Sequence, residues 1–345
     1  MRAWLTSALA GCILLLLRLQ GTGAAAAPGN AGMPLAARLI DAGRPIDVVS
    51  PAGLASTLCS LAPVTSESAA RQIIAATGIV CPHFRGYVPT AIWLRQGAAY
   101  DPGALGDLRR HAAVVQGRPP FNAAIAEWTQ RRGGVPVRID VPVKFAAVSA
   151  LVYSRPWEFA VPRLQSRRRT FHGRDRASTV TFIAGVGARV QRDDSCERTS
   201  IPLEYGGTLR LAKVMQRPSV TALSCLARPY TGSAVVYARY AMPRIRASGQ
   251  RDLSDRLKRL GVADIFTRSK EPFRRLQRDL ALDAVLQATE VQVDETGVGI
   301  RATTAAYTLL GLPPSKARIV YDVPFVFQVV DGNGTPVALG MVNDL

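Results

Sequence analysis

The chain has 345 residues, 48% of them apolar and 20% charged, and its 43 Lys and Arg against 25 Asp and Glu give a formal net charge of +18. A chain this long and this apolar buries a sizeable core, which excludes a disordered polyelectrolyte. The length allows two domains, but mixed folds of this size are often single units.

In chain order, Met1 to about Ala26 reads as a secretory signal: Arg2, the apolar run Ala8–Leu17, then small residues from Gly21 to Ala27 suited to cleavage. The run is interrupted by Arg18 and is too short for a stable bilayer span, with an uncleaved anchor as the alternative. No second membrane segment follows, so residues 27–345 are expected to be secreted, as a monomeric single domain with no membrane partner. Loss of Arg2 and Arg18 leaves a charge of about +16, a field that attracts polyanions. Basic residues concentrate in Arg167, Arg168 and Arg169 with Arg174 and Arg176, and again from Arg251 to Arg278. Two readings stay open for them: solvated faces of an arginine-rich chain, or a glycosaminoglycan site. Nucleic acid is not an expected partner, because few aromatics accompany the basic runs.

Apart from Cys12 of the signal, four cysteines remain, Cys59, Cys81, Cys196 and Cys225, and they allow three pairings. Cys59 sits in an apolar helical stretch and is expected as a buried free thiol. No CxxC or metal-ligand spacing occurs, so neither a metal nor another cofactor is expected. Asn333-Gly334-Thr335 is a glycosylation sequon in a turn.

Pro34 to Ile40 opens a helix, Asp47-Val48-Val49 is a strand, and Ser50-Pro51 starts a helix through Leu61, with Pro favourable in the first turn. Ser66 to Ala76 is a third helix, capped by Ser66 or Ser68. Gly78 to Tyr87 is irregular, and Val88 to Ala98 is a strand. Phe121 to Gln130 is a helix with Ile125 and Trp128 on one face. Val141 to Tyr153 is apolar at nearly every position, as a strand covered on both faces must be. Thr170-Phe171 and Thr179 to Ile183 continue the strand pattern. Leu226 to Met242 alternates as two strands joined at Thr231-Gly232-Ser233. Asp252 or Ser254 caps a following helix.

The last stretch, Val291 to Phe327, is the most informative. Val291, Val293 and Glu295 alternate as a strand that ends in Glu295-Thr296-Gly297. Residues 302–308 are small or β-tolerant, Leu309-Leu310-Gly311-Leu312-Pro313-Pro314 is an apolar tip closed by prolines, and Val323 to Val330 is a buried strand. A strand-competent segment between turn signals describes a loop able to become a strand.

Glu295-Thr296-Gly297 followed by small residues, then Asp322-Val323-Pro324-Phe325-Val326-Phe327, resembles the hinge, reactive loop and C-terminal signature of the serpins. Ser50-Pro51 with its helix, Phe121 to Gln130, Val141 to Phe159 and Ala241 to Phe273 resemble further serpin segments in the family's order, over roughly Pro34 to Leu345. The resemblance implies an α+β fold of three β-sheets surrounded by about eight helices, with an exposed reactive loop at about residues 296–314. It implies a hinge at Glu295, Thr296, Gly297, Val298, Gly299 and Ile300, and an ion pair between Glu295 and Arg244. It also implies trapping: a protease cleaves the loop as substrate, and the loop inserts into the main sheet before the acyl-enzyme can hydrolyse. Val298, Ile300, Ala302 and Thr304 would then face the core, and Gly299, Arg301, Thr303 and Ala305 would face outward. Four positions depart from the family pattern: Gln287 for His, Ser149 for Asn, Gly53 for Ser and Val323 for a polar residue. They imply a sheet-opening region that has lost polar contacts, while Ile300 is larger than inhibitors prefer. The helix absent between Gly78 and Tyr87 is one that often binds heparin.

Fourteen residues beyond Gly297 the scissile bond falls after Gly311, and in a loop one residue shorter after Leu310; Leu gives a protease pocket something to hold where Gly does not, so Leu310-Gly311 is the expected bond, with cleavage after Gly311 or Arg318 as alternatives. Leu310 implies a target with an apolar primary pocket: a chymotrypsin-like or elastase-like protease or a cathepsin. A non-inhibitory binding protein of the same fold is the competing reading. Catalysis by the chain itself is not expected. The three histidines, His83, His111 and His172, lie in polar contexts, and no GxSxG, HExxH or phosphate-loop pattern occurs.

Overall fold

The structure, a computed structural model, describes residues 37–77, 81, 88–132, 136, 143–151, 153–193, 196–214, 220–227, 234–299 and 317–345. The signal segment, Ile300 and the Leu310-Gly311 bond lie outside them. A helical turn at 37–39 leads to β1 (Ile46–Val49), α1 (Pro51–Leu61), α2 (Glu67–Thr77), β2 (Thr90–Arg95), α3 (Pro102–Arg109), β3 (Ala113–Gly117) and α4 (Asn122–Arg131). Then come β4 (Phe145–Leu151), β5 (Arg155–Pro156), β6 (Arg167–His172), β7 (Ala177–Asp193), β8 (Cys196–Pro202), β9 (Thr208–Val214) and α5 (Val220–Ala227). The chain closes with β10 (Ala234–Pro243), β11 (Ile245–Asp252), α6 (Ser254–Arg259), β12 (Ala284–Asp294), β13 (Gly297–Val298), β14 (Arg318–Val320), β15 (Phe325–Val330) and β16 (Pro336–Val342).

All eleven residues of α1 are buried, which suits its Ala, Gly, Ser and Leu content and makes it an interior helix. Ser50 caps it, its Oγ accepting from Gly53 N at 2.9 Å and donating to Val337 O at 2.8 Å. All seven residues of β4 are buried as well, as its unbroken apolar run requires. α1 lies beneath the sheet, and α4 covers the other face, where Ile125 and Trp128 pack with Trp93, Val148 and Leu286.

Among the described residues the strands form two hydrogen-bonded sheets. One has the order β3-β2-β4-β12-β13-β5, with β11 along the opposite edge of β12 from Leu286 to Val293. The other runs β1-β16-β15-β9-β8-β7-β10-β14, with β6 on β7. The 17-residue β7 crosses the larger sheet, pairing along one edge with β10 from Phe182 to Gln191 and along the other with β6 at its start and β8 at its end, so two of the three expected sheets share one hydrogen-bonding network.

Three expectations are corrected. Cys59 is not a free thiol but pairs with Cys81, and Cys196 pairs with Cys225, with Cα separations of 5.0 and 6.2 Å, inside the range a disulfide spans. Leu226 and Ala227, where the first of the two expected strands begins, are instead the last residues of a helix, α5, and the rest of that expected strand lies outside the described residues. Leu223 and Leu226, three residues apart, are both 1% exposed, and the short apolar run fits a helix as well as a strand. The third correction concerns the polar contacts beneath the sheet and is taken up with the site. α3 and β3 were not foreseen; Asp101 caps α3 by accepting from Ala104 N at 2.7 Å.

Candidate functional site: the hinge and the fork in the sheet

Glu295 directly follows the long strand β12, in the turn, and is buried, with 9% of the residue exposed. Arg244, at the turn between β10 and β11, reaches it through Nε at 3.2 and 3.0 Å and through Nη2 at 2.5 Å, a two-pronged contact that fits a planar guanidinium. Ser166 Oγ donates to the same carboxylate at 2.5 Å. Burial works to raise the Glu295 pKa, but the bonds from Arg244 and Ser166 outweigh it and hold the carboxyl below its ordinary value. The same pair raises Arg244. One residue back, Asp294 Oδ1 accepts from Thr296 N at 2.7 Å, its Oδ2 accepts from Gln292 Nε2 at 2.7 Å, and Trp157 Nε1 donates to Asp294 O at 2.7 Å. Trp157 and Ser166 are site residues that sequence reasoning missed; each contacts β12 from more than a hundred residues away, and no local pattern announces that.

The hinge turns at Glu295-Thr296 and comes back as a strand. Gly297 pairs with Asp294 and Val298 with Val293, while on the other side Gly297 pairs with Pro156 and Val298 with Arg155. Gly299 N donates to Gln292 O at 2.8 Å, extending the register by one residue. Gly297 has φ +147°. A Cβ there would collide with the Arg155 carbonyl oxygen and lie 2.7 Å from Pro156 Cα, so only glycine fits. Val298 is 2% exposed and joins the core with Val291 and Val293.

β13 thus stands between β12 and β5. Lower down, β12 pairs directly and in parallel with β4, from Ala284 opposite Ala146 to Thr289 opposite Leu151. The sheet is a fork, shut over those six pairs and open above them. In the crotch lies a small cavity lined by Leu151, Tyr153, Val291, Val298, Gly299 and Val337 among others. Burial pushes the Tyr153 hydroxyl up to about 12.

Beneath the shut part, Gln287 and Ser149 face each other across β12 and β4. The expected loss of polar contacts is not what the structure shows at Gln287. Its Oε1 accepts from Ser50 N at 2.8 Å and its Nε2 donates to Ser50 O at 2.8 Å, so one side chain satisfies both backbone groups at the start of α1. Gly53 leaves room above the helix: a Cβ there would sit 3.0 Å from Ser50 Oγ and 3.2 Å from Ser149 Oγ. Val323 is 36% exposed in the turn before β15.

Asn333 is exposed at the tip of the β15–β16 hairpin, where Asp331 Oδ1 accepts from Asn333 N at 2.9 Å and Thr335 N at 2.7 Å. Arg167 and Arg168 are exposed and Arg169 half-buried along β6, at the margin of its sheet.

The stretch of chain that carries this hinge is matched by a family model. The model Serpin (serine protease inhibitor) aligns with residues 135–345, more than half of the chain. The chain belongs to the serpin family. Glia-derived nexin of Rattus norvegicus is 25% identical over 221 residues, 58% of this chain and 54% of the relative. Serine proteinase inhibitor 1 of Myxoma virus (strain Lausanne) is 35% identical over 92 residues, 26% of this serpin and 24% of the viral protein. These matches span between about a quarter and just over half of the curated relatives' length. In structure the serpin resembles native tengpin, a thermophilic serpin, with a TM-score of 0.77 at 16% identity, covering 93% of this chain and 94% of that one. Serpin48 of the insect Tenebrio molitor gives 0.74 at 18%, covering 93% and 98%. Native protease nexin-1, solved with heparin, gives 0.72 at 16%, covering 93% and 99%. At these identities the likeness shows the fold. Among the described residues no helix is long and apolar enough to cross a membrane, and no group of three or more His, Cys, Asp or Glu is placed to hold a metal.

Proposed function

We propose that this serpin is a secreted inhibitor that traps a protease with an apolar primary pocket, through cleavage at Leu310-Gly311 and insertion of the loop into the open fork. The observation that carries the reading is the seating of Gly297, Val298 and Gly299 as the first residues of a strand between β12 and β5. The protease serine attacks the Leu310 carbonyl, the bond to Gly311 N breaks, and Gly311 leaves as an amine protonated by the protease's histidine. What remains is an ester between Leu310 and the protease, on a chain free to continue the register already begun.

That register assigns partners to the residues that follow. Ile300 falls opposite Val291, Ala302 opposite Thr289, Thr304 opposite Gln287, and Tyr307 opposite Ala284 at the foot of the 11-residue β12. Directly opposed residues share a face. The bulk of Ile300 would meet the apolar cavity in the crotch, and Thr304 would meet the polar spot at Gln287 and Ser50. Insertion has to part the six β12–β4 pairs and replaces each with antiparallel partners on both sides. The two disulfides fit the oxidising compartment that export implies. Exposed Asn333 is available as the glycosylation site.

Incubation with chymotrypsin, cathepsin G and elastase tests the reading. A denaturant-resistant complex is expected with at least one, releasing a fragment whose first residue is Gly311. Cleavage in the loop with no complex for any of them would leave a substrate, and the trapping reading would fall.

A further inference from the structure

Two turns leave the larger sheet side by side. Thr208, the first residue of β9, pairs with Pro202 of β8 on one edge and with Val330 of β15 on the other, so the turn at 203–207 and the hairpin tip at 331–335 project together. They meet through glycine. A Cβ on Gly332 would collide with the Tyr205 carbonyl oxygen, and one on Gly206 would lie 3.4 Å from Gly332 Cα. The next residue is Asn333, exposed and first in Asn-Gly-Thr, its N–H donating to the Asp331 carboxylate. Tyr205 is the anomaly of this end. Its backbone has φ +60° and ψ 33°, left-handed values that a bulky residue adopts only at a cost, yet the residue is 81% exposed and joins none of the core clusters. The Arg155 guanidinium lies over its ring at 5.6 Å from the centroid, and over the Tyr153 ring at 5.4 Å. What the strained turn achieves is an aromatic ring steadied by a cation and held out into solvent beside a sequon.

We propose that Tyr205 is a stacking platform for a glycan on Asn333, with the first N-acetylglucosamine lying flat on its ring. That sugar carries its substituents equatorially, so its axial C–H bonds form an apolar face with partial positive charge. Such a face suits the apolar, electron-rich face of a phenol. The linkage to Asn333 Nδ2 already holds the sugar near the ring, so stacking orders few further groups. The Asp331 bonds to Asn333 N and Thr335 N fix the backbone that carries the sugar, which lowers that cost again. This role rests on the reading of Asn333 as a glycosylated residue and not on trapping, since it needs no movement of the loop.

The test uses the full chain secreted from eukaryotic cells, with mass spectrometry at Asn333 and endoglycosidase trimming to a single N-acetylglucosamine. Proton resonances of that sugar should move upfield in the ring current, and Asn333→Gln should melt lower than the glycosylated wild type. Tyr205→Phe should keep both effects, since the ring carries them. Tyr205→Ala should lose both, while the unglycosylated forms of all three melt alike. Release of the untrimmed glycan from the native protein by an amidase should run about three- to tenfold faster in Tyr205→Ala, because a stacked sugar has to lift off first. An empty Asn333 would overturn the platform together with the glycosylation reading. A glycan whose ring-current shift or release rate is the same in wild type and Tyr205→Ala would overturn the platform alone. Tyr205→Phe behaving as Tyr205→Ala would assign the contact to the hydroxyl and overturn stacking.

Discussion

Val298 stands opposite Val293 in the main sheet, three residues past the ion-paired Glu295. The hinge is therefore a strand begun and stopped, and the properties of its few residues set how easily it advances or retreats.

Gly297 decides whether the start of that strand can form. With φ +147° and no space for a Cβ against Arg155 and Pro156, Gly297→Ala should expel β13 at a cost of about 1–3 kcal/mol. Amide exchange at Val298 and Gly299 should quicken by tenfold or more, while exchange in β4 stays as it was. Unchanged protection at those two amides would show that the hinge is not held by the backbone pairing described.

The Glu295 carboxyl is held below its ordinary value of 4.5, so the sign of its pH effect is fixed. A depressed carboxyl stabilises the folded state fully above the ordinary value, and the contribution disappears as pH falls through the lowered one. Acidification below about pH 4.5 should release the hinge reversibly, detected as faster proteolytic nicking between residues 296 and 314 at matched protease activity. Glu295→Gln should nick quickly at every pH and show no such step. A wild-type profile as flat as that of the variant would remove the ion pair from the account.

How far sequence reasoning reached depended on the range of the interaction. The apolar run of β4, the Ser50-Pro51 start of α1 and the Glu295-Thr296-Gly297 turn are local patterns, and the elements stand where those patterns put them. The start of β13 inside the sheet was not legible, because glycine permits a return into the sheet as readily as an exit. The Gln287 bond to Ser50 joins residues 237 apart, and a substitution that looks like a lost polar contact in sequence turns out to be a replaced one. α5 shows the remaining failure: an eight-residue apolar segment has too few periods to separate helix from strand.

Gln287 yields a third prediction. Gln287→Leu leaves the buried Ser50 N without its partner and removes one of two donors to Ser50 O, which keeps Leu54 N at 3.0 Å, at roughly 1–3 kcal/mol. The guanidinium midpoint of the intact protein should fall accordingly. Because β12 and α1 keep their places when a strand enters beside them, the loop-nicked protein should lose a similar amount. A midpoint unmoved in the intact form would mean that water or Ser149 satisfies Ser50 just as well.

Nicking the loop supplies the most demanding test of the register. Continued from Val298, the pairing sets Arg301 opposite Glu290, which is half-buried on β12, so the one charged residue between Gly297 and Leu310 meets an opposite charge. A cross-strand pair of this kind is worth about 0.2–1 kcal/mol, and like charges in the same place cost a similar amount. Cleavage at Leu310 should raise the melting temperature by tens of degrees, since the eight residues from Ile300 to Tyr307 gain partners along β12 beyond those already seated. Glu290→Lys should leave the intact protein nearly unchanged and reduce the stability gained on cleavage by about 1 kcal/mol. Arg301→Glu placed in that background should restore it, a coupling that only direct opposition produces. Independent effects of the two substitutions would displace the register by at least one residue, and a residue's shift would turn Ile300 away from the cavity at the crotch.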